Sequence, residues 1–342
     1  MSSLLPSKKR LLAVAALVAG GWWTFWAPLP QQSELESAFA QPASEGQEEP
    51  TTLLDQANSF RLWARQTLQQ YTADSGGGRE KEKIWRPALR IGSMNIAGLT
   101  TEKYENANVS SLMHEFGRAC DLIALQGLQP NQQEVLLEWA ERLSRNGLRY
   151  DYVIGPIIGR GSEQQQFAFL YNTRKLEVDR EHLYTIEDPK DALTFDPLVA
   201  WFRVKGIDPS RAFTFSLVNV SLSEPLLGNE QLLLQELIRG VQRDGRNEDD
   251  VILVGSIQCG VDALPIRKEG WIGVLAKEPT DPRRTKSLDN LLLHPAATDE
   301  FTGKAETFDF LRAFNLSVED ALKISQHLPL WGEFSAVEGG FQ

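Results

Sequence analysis

Cysteine is scarce. Two residues in 342, Cys120 and Cys259, cannot frame a disulfide scaffold, and neither stands in a Cys-x-x-Cys or Cys/His spacing that would hold zinc. Both are expected to be small buried residues. Basic charge is also short: 35 Lys and Arg against 46 Asp and Glu leave a formal net charge of −11. A surface attractive throughout to phosphate backbones is excluded, and extended nucleic-acid binding is not expected, although a local basic groove remains open. No internal repeat marks a solenoid.

One long apolar run is present. Lys8-Lys9-Arg10 precedes Leu11 to Trp26, with Trp22, Trp23 and Trp26 at the far end, where indoles favour the membrane–water interface. At roughly 16 residues the run is shorter than the ~20 a spanning helix needs, and extension to Leu29 brings it into range. An uncleaved anchor is the preferred reading. A cleaved signal peptide, supported by the small residues of Ala38-Phe39-Ala40, is the other. In both, the positive flank stays cytoplasmic and the rest is exported, so the folded part is expected outside the cytoplasm, membrane-anchored or secreted.

The expected organisation is a membrane anchor or signal segment over 1–30, a flexible Gln/Glu/Ser/Ala/Pro-rich linker over 31–50, an amphipathic helix over 51–72, a Gly-rich linker over 73–83 and a folded domain over 84–338. In that domain β-rich runs alternate with helical ones. Leu89 to Ile96, Asp121 to Gln126, Tyr150 to Ile154, Phe167 to Tyr171, Leu198 to Val204, Phe213 to Leu222 and Val251 to Gly255 predict strands. Asn131 to Arg145, closed by Asn146-Gly147, predicts a helix with Val135, Leu136, Trp139, Ala140 and Leu143 on one stripe; Asn229 to Arg243 predicts another with Leu232, Leu233, Leu237 and Val241. Runs as apolar as Leu122 to Leu125 and Val251 to Val254 suit central strands covered on both faces. The class is α/β, two packed sheets flanked by helices.

Five segments, in order, then carry a resemblance: Leu89 to Gly98 with Asn95 near its end; Asp121-Leu-Ile-Ala-Leu-Gln-Gly127; Gly159-Arg160 before Phe167 to Tyr171; Val251-Ile-Leu-Val-Gly-Ser-Ile-Gln258; and Ser325-Gln326-His327. They resemble the endonuclease/exonuclease/phosphatase superfamily. Asp196 to Ala200 and Phe308 to Ser317, running on to Ser325, are similar to its deoxyribonuclease I-like branch. The resemblance implies a four-layer α/β/β/α sandwich whose loops at one sheet edge carry the site. It also implies a divalent cation, usually Mg²⁺, and a histidine pair backed by carboxylates that activates water and protonates the leaving oxygen.

Position by position, the chain departs from that pattern. Asn95, Asp289 and His327 match it. The metal-binding Glu is Gly127 and the acid–base Glu is Gln165, with Glu163 nearby as a displaced substitute. The second catalytic His is Asn219, the Gly-Asp-x-Asn turn reads Gly255-Ser256-Ile257-Gln258, and the Asp before the final His is Gln326. Asp289 is the one carboxylate left at matched positions, so the losses read as chemical rather than structural. His327, without a carboxylate beside it in sequence, reads as a histidine packed in a turn before it reads as a phosphate contact. His114, His182 and His294 match nothing catalytic. Glu306 and Asp309 fit a solvated helix face better than a relocated metal site. The expectation is a membrane-anchored, extracytoplasmic pseudoenzyme with no metal cofactor, binding an unknown protein or phosphate-containing ligand; the alternative is a divergent Mg²⁺- or Ca²⁺-dependent phosphodiesterase or nuclease.

Overall fold

A computed structural model describes residues 87–145, 148–186, 192–223 and 227–339. The proposed anchor, linkers and first amphipathic helix, together with the Asn146-Gly147 helix stop, lie outside the described residues. Among those described, no helix is long and apolar enough to cross a membrane.

The strands are β1 (Ala88–Leu99), β2 (Leu122–Leu128), β3 (Tyr150–Ile158), β4 (Gln165–Asn172), β5 (Leu176–Val178), β6 (Tyr184–Thr185), β7 (Leu198–Val204), β8 (Thr214–Ser221), β9 (Val251–Ser256), β10 (Ile272–Gly273), β11 (Asp289–Leu293), β12 (Phe301–Thr307) and β13 (Leu330–Ser335). The α-helices are α1 (Thr101–Glu105), α2 (Ala107–Ala119), α3 (Gln133–Leu143), α4 (Leu227–Gln242), α5 (Phe310–Ala313) and α6 (Val318–Ile324). One sheet has the order β12-β13-β1-β2-β4-β3; the other runs β10-β11-β9-β8-β7-β5, with β6 also paired to β7. Both are mixed: β1 and β2 run parallel, as do β8 and β9, and their other neighbours are antiparallel.

The two-residue period of the strands sorts their side chains into layers. Leu89 and Ile91 of β1, Leu122 and Ala124 of β2, Phe167 and Phe169 of β4, Phe215 and Leu217 of β8, Ile252 and Val254 of β9, and Leu291 and Leu293 of β11 all enter the core between the sheets. Their sequence neighbours face outward: Met94, Ile123, Leu125 and Leu170 pack under α1, α2, α3, α5 and α6, while Val218, Val251 and Leu253 pack under α4. This is the four-layer α/β/β/α sandwich, and strands buried on both faces explain why their runs are almost wholly apolar. Phe rings knit the inter-sheet core, with Phe202 stacked on Phe215 at 5.6 Å and Phe213 on Phe215 at 4.8 Å.

In α3 the predicted stripe of Val135, Leu136, Trp139, Ala140 and Leu143 is buried, and Trp139 Nε1 donates to the Met113 carbonyl of α2 at 2.9 Å. The α4 stripe is shifted: Leu234, Leu237, Ile238 and Val241 enter the core, whereas Leu232 is 61 % exposed. The three consecutive leucines Leu232 to Leu234 leave the phase of the helix ambiguous by one position, and packing chose the i, i+3, i+4, i+7 set beginning at Leu234. Glu306 lies on strand β12 rather than on a helix, and Asp309 caps α5, accepting from the Arg312 N–H at 3.2 Å. Cys120 and Cys259 are both free; the strands they flank belong to different sheets rather than being neighbours, and Cys259 is only half-buried.

Candidate functional site

Six of the singled-out residues, or their immediate neighbours, continue one pattern. Asn95 follows Leu89 and Ile91 by the same two-residue step; so do Gln126 after Leu122 and Ala124, Asn219 after Phe215 and Leu217, and Ser256 after Ile252 and Val254. On the antiparallel strands, Gln165 precedes Phe167 and Asp289 precedes Leu291. All therefore face between the sheets at the same end of the sandwich, where the aromatic core gives way to polar side chains. Each is no more than 9 % exposed.

Buried polar groups require partners, and here they take them from one another. The Gln126 amide donates to Asn219 Oδ1 at 2.7 Å. Asn219 Nδ2 donates to the Leu125 and Ala168 carbonyls at 3.1 and 3.4 Å, so one side chain of β8 stitches its sheet to β2 and β4 of the other. The Gly127 N–H donates to Gln165 Oε1 at 2.8 Å, and Gln258 Nε2 to Ser256 Oγ at 3.0 Å. Gly255 has no room for a side chain: its φ is +131°, and a Cβ there would lie 2.1 Å from the Val220 carbonyl oxygen of the neighbouring strand and 3.1 Å from Gln126 Nε2 of the other sheet.

Gly127 corrects the expectation that the losses are chemical alone. Its φ is +84°, and a Cβ would stand 2.5 Å from the Ile96 carbonyl oxygen. The β1–β2 register slips beside it, between the Asn95–Gln126 and Leu99–Leu128 pairs. The β1 backbone at Ile96 and Ala97 occupies the space a side chain at position 127 would need.

His327 also departs from expectation, because it does have a carboxylate partner. Its Nδ1 lies 2.7 Å from Asp289 Oδ2, and the two residues are 9 % and 3 % exposed. Two devices hold the pair. Ser325 Oγ donates to the Asn95 carbonyl at 2.7 Å and accepts the His327 N–H at 2.9 Å, pinning the turn to the end of β1. Thr280 accepts the Leu288 and Asp289 N–H groups on its hydroxyl at 2.8 and 2.9 Å, while its carbonyl accepts the Leu328 N–H at 2.7 Å. Burial alone lowers the imidazole pKa; the Asp289 carboxylate, with Asp281 behind it, outweighs burial and holds it above the ordinary histidine value. With Nδ1 committed to Asp289, Nε2 is left to exchange a proton or, when the ring is charged, to donate to an anion. One oxygen of the pair, Asp289 Oδ1, is buried without a partner.

Gln326 and Glu163 are exposed, so neither adds a buried group to this set. His182 pairs with Asp179 at 2.7 Å and His294 faces the Glu269 carbonyl at 3.1 Å, both away from the site residues. A hard cation does not fit. Of the two buried carboxylates near His327, Asp289 is engaged by the imidazole and Asp281 by the N–H groups of Arg283, Thr285 and Lys286, and Gly127 has no room for a further ligand. Among the described residues, the acidic clusters close enough to share an ion lie elsewhere, at Glu248–Asp249–Asp250 and Asp250–Glu300–Glu338.

The chain is similar to human deoxyribonuclease gamma, 26 % identical over 267 residues that cover 71 % of this chain and 85 % of that protein. It is likewise similar to human deoxyribonuclease-1-like 1, 27 % identical over 259 residues covering 71 % and 83 %. The crystal structure of a humanized D. rerio TDP2 superposes with a TM-score of 0.50 at 14 % identity, over 72 % of this chain and 99 % of that one. No family model matches the chain. The sandwich, the order of its strand-end segments and these likenesses together bear out the resemblance to the deoxyribonuclease I-like branch of the endonuclease/exonuclease/phosphatase superfamily.

Proposed function

We propose that this chain is a catalytically silent deoxyribonuclease I-like domain that binds a phosphate-bearing ligand at the His327 end of the sandwich, held at a membrane by its N-terminal apolar segment on the extracytoplasmic side. The observation that carries the reading is the amide network, whose side chains pair within the protein apart from Gln126 Oε1, which is buried without a hydrogen-bond partner. Asn219 and Gln126, Gly127 and Gln165, and Ser256 and Gln258 hydrogen-bond to each other where the resemblance asks for a metal ligand, an acid–base pair and a second histidine. An amide cannot carry a proton near neutral pH, and groups that act as a unit lose activity together. His327 is what remains, a buried imidazole biased toward its charged form. Such a group suits recognition of one phosphate oxygen and cannot alone both activate water and protonate a leaving group.

Purified full-length chain is expected not to cleave plasmid DNA or a phosphodiester reporter with Mg²⁺ or Ca²⁺, while inorganic phosphate shifts the His327 ring resonances. Cleavage that disappears in His327→Ala would overturn the reading. A divergent phosphodiesterase using Glu163, Asp289 and His327 is the second reading, favoured by the intact His327–Asp289 pair and the unpartnered Asp289 Oδ1. Metal-dependent cleavage that survives Gly127→Ala and fails in Asp289→Asn is its signature. The anchor is tested separately: alkaline extraction leaves an anchored chain in the membrane pellet, and a soluble product beginning after Ala40 overturns anchoring in favour of secretion.

A further inference from the structure

At the other end of the strands a second polar cluster closes the inter-sheet core. Asp250 immediately precedes β9, Glu300 immediately precedes β12, and Glu338 follows β13, so strands of both sheets present a carboxylate at the edge away from His327. Along β9 that edge is ~20 Å from Ser256, six residues at about 3.3 Å each. One oxygen from each of Asp250, Glu300 and Glu338 lies within 4.8 Å of the other two. Two of these acids are deeply buried, Asp250 at 3 % and Glu300 at 1 % exposure.

Part of the cluster is satisfied. Glu300 Oε1 accepts the Gly339 N–H at 2.8 Å and Glu338 Oε1 accepts the Thr214 N–H at 2.7 Å. Asp250 Oδ1 and Glu300 Oε2 have no hydrogen-bond partner, although both atoms are out of water. The Thr298 hydroxyl, which faces Asp250, also forms no hydrogen bond of good geometry. The nearest guanidinium in the adjoining groove, Arg246, is engaged by Asp179 at 3.2 Å and Asp244 at 3.3 Å. That groove, a cavity of about 510 Å³, is lined in part by Glu248, Asp249, Asp250 and Glu338 and gives the cluster access to solvent. Two buried carboxylates with open oxygens and a third alongside require a proton or a cation.

We propose that Asp250, Glu300 and Glu338 bind a hard divalent cation, Ca²⁺ in preference to Mg²⁺, which fastens the start of β9 in one sheet to the start of β12 and the end of β13 in the other. The donors are all oxygen, which excludes a zinc-type nitrogen and sulfur set. Oxygens within 4.8 Å of one another can share an ion about 2.4 Å from each, and the flexible, irregular shell of Ca²⁺ suits carboxylates fixed by three strand ends better than the strict octahedron of Mg²⁺ at about 2.1 Å. Thr298 and waters in the groove complete the shell. The electrostatics agree: burial, then Glu300, Glu248 and Glu338, push the Asp250 carboxyl up to about 9, and burial pushes Glu300 up to about 7. Such groups load the metal-free fold with repulsion that a cation removes.

The experiment is calorimetric and thermal titration of the purified full-length chain with CaCl₂ at pH 7.5, in detergent buffer first stripped of divalent ions. One Ca²⁺ per chain and a saturating rise in Tm are expected. Glu300→Gln should abolish both responses while raising the Tm of the metal-free protein, because it removes a repelling charge. Glu338→Gln, nearer solvent, gives the same test should the first variant fail to fold. Asp289→Asn, at the other end, should keep the Ca²⁺ response. No heat and no Tm change up to several millimolar Ca²⁺, or a response that both glutamine variants retain, overturns the proposal.

Discussion

Gly127→Glu restores by name the metal ligand that the resemblance asks for, and the structure predicts that it restores nothing. A residue other than glycine in the left-handed region costs roughly 1–2 kcal/mol. The new Cβ at 2.5 Å from the Ile96 carbonyl oxygen must also displace β1 backbone, an overpacking cost of about 1–3 kcal/mol. Gly98 supplies an internal control, since its φ is +68° with open space around the Cβ position, so Gly98→Ala reports the backbone cost alone. The expected order of destabilisation is Gly98→Ala at about 1 kcal/mol, then Gly127→Ala and Gly127→Glu at about 2–5 kcal/mol. For a domain of about 250 residues that is a Tm loss of roughly 5–15 °C. Differential scanning calorimetry measures the loss, and plasmid cleavage with Mg²⁺ measures any function regained. A Gly127→Glu protein as stable as the parent that cleaves DNA would refute the argument that the backbone itself has closed the metal position.

Asp289→Asn removes the carboxylate that outweighs burial, so the His327 pKa should fall below its ordinary value, read as the NMR titration midpoint of the ring protons. The same pair sets a pH signature: because the folded pKa is raised, its contribution is complete below about pH 6.5, the unfolded value, and is lost as pH climbs through the folded value. The parent should therefore be more stable than Asp289→Asn by a margin that shrinks with rising pH, as urea titrations at several pH values will show. Asn219→Ala leaves the buried Gln126 amide and two strand carbonyls short of a partner and should cost about 1–3 kcal/mol by urea unfolding. The Cys120 thiol, buried and pushed up by burial and then by Asp121, should resist alkylation until the domain unfolds, and half-buried Cys259 should react first.

The fold was legible because its central strands are buried on both faces, and such runs announce themselves; the predicted bounds of β7 coincide with those observed. Of the strands left out, β11 is buried throughout but only five residues long, whereas β12 lacks that signal altogether. β12 is an edge strand, Phe301-Thr-Gly-Lys-Ala-Glu-Thr307, with Gly303 and Lys304 exposed and no apolar alternation. The site was legible as an inventory of residues and illegible as a set of contacts. His327 and Asp289 stand 38 positions apart, and nothing local to either states that β11 and the Ser325 turn meet around Thr280. The positive φ of Gly127 is equally invisible, since glycine there reads only as a missing carboxylate. Asp250, Glu300 and Glu338 were passed over because isolated acids resemble solvated surface; the usable signal was an acid placed directly before the apolar run Val251 to Val254.

Under the proposed reading, the location of these residues would explain how catalytic chemistry is lost while the fold stays. Every strand that crosses the sandwich must end, and its last inward-facing position needs a polar group that closes the core without being stranded. In a working phosphodiesterase that position is filled by charges which a metal and a substrate satisfy. Here Gln165, Asn219 and Ser256 stand at such places and hydrogen-bond within the protein, Gln165 to the Gly127 N–H, Asn219 to Gln126 and Ser256 to Gln258. Charges whose partners come from outside destabilise the empty fold, whereas amides that pair with each other stabilise it. Under the proposed reading, replacing one kind by the other exchanges activity for rigidity. His327 and Asp289 pair through Nδ1 and Oδ2, which leaves the imidazole Nε2 as a group that can meet an anion.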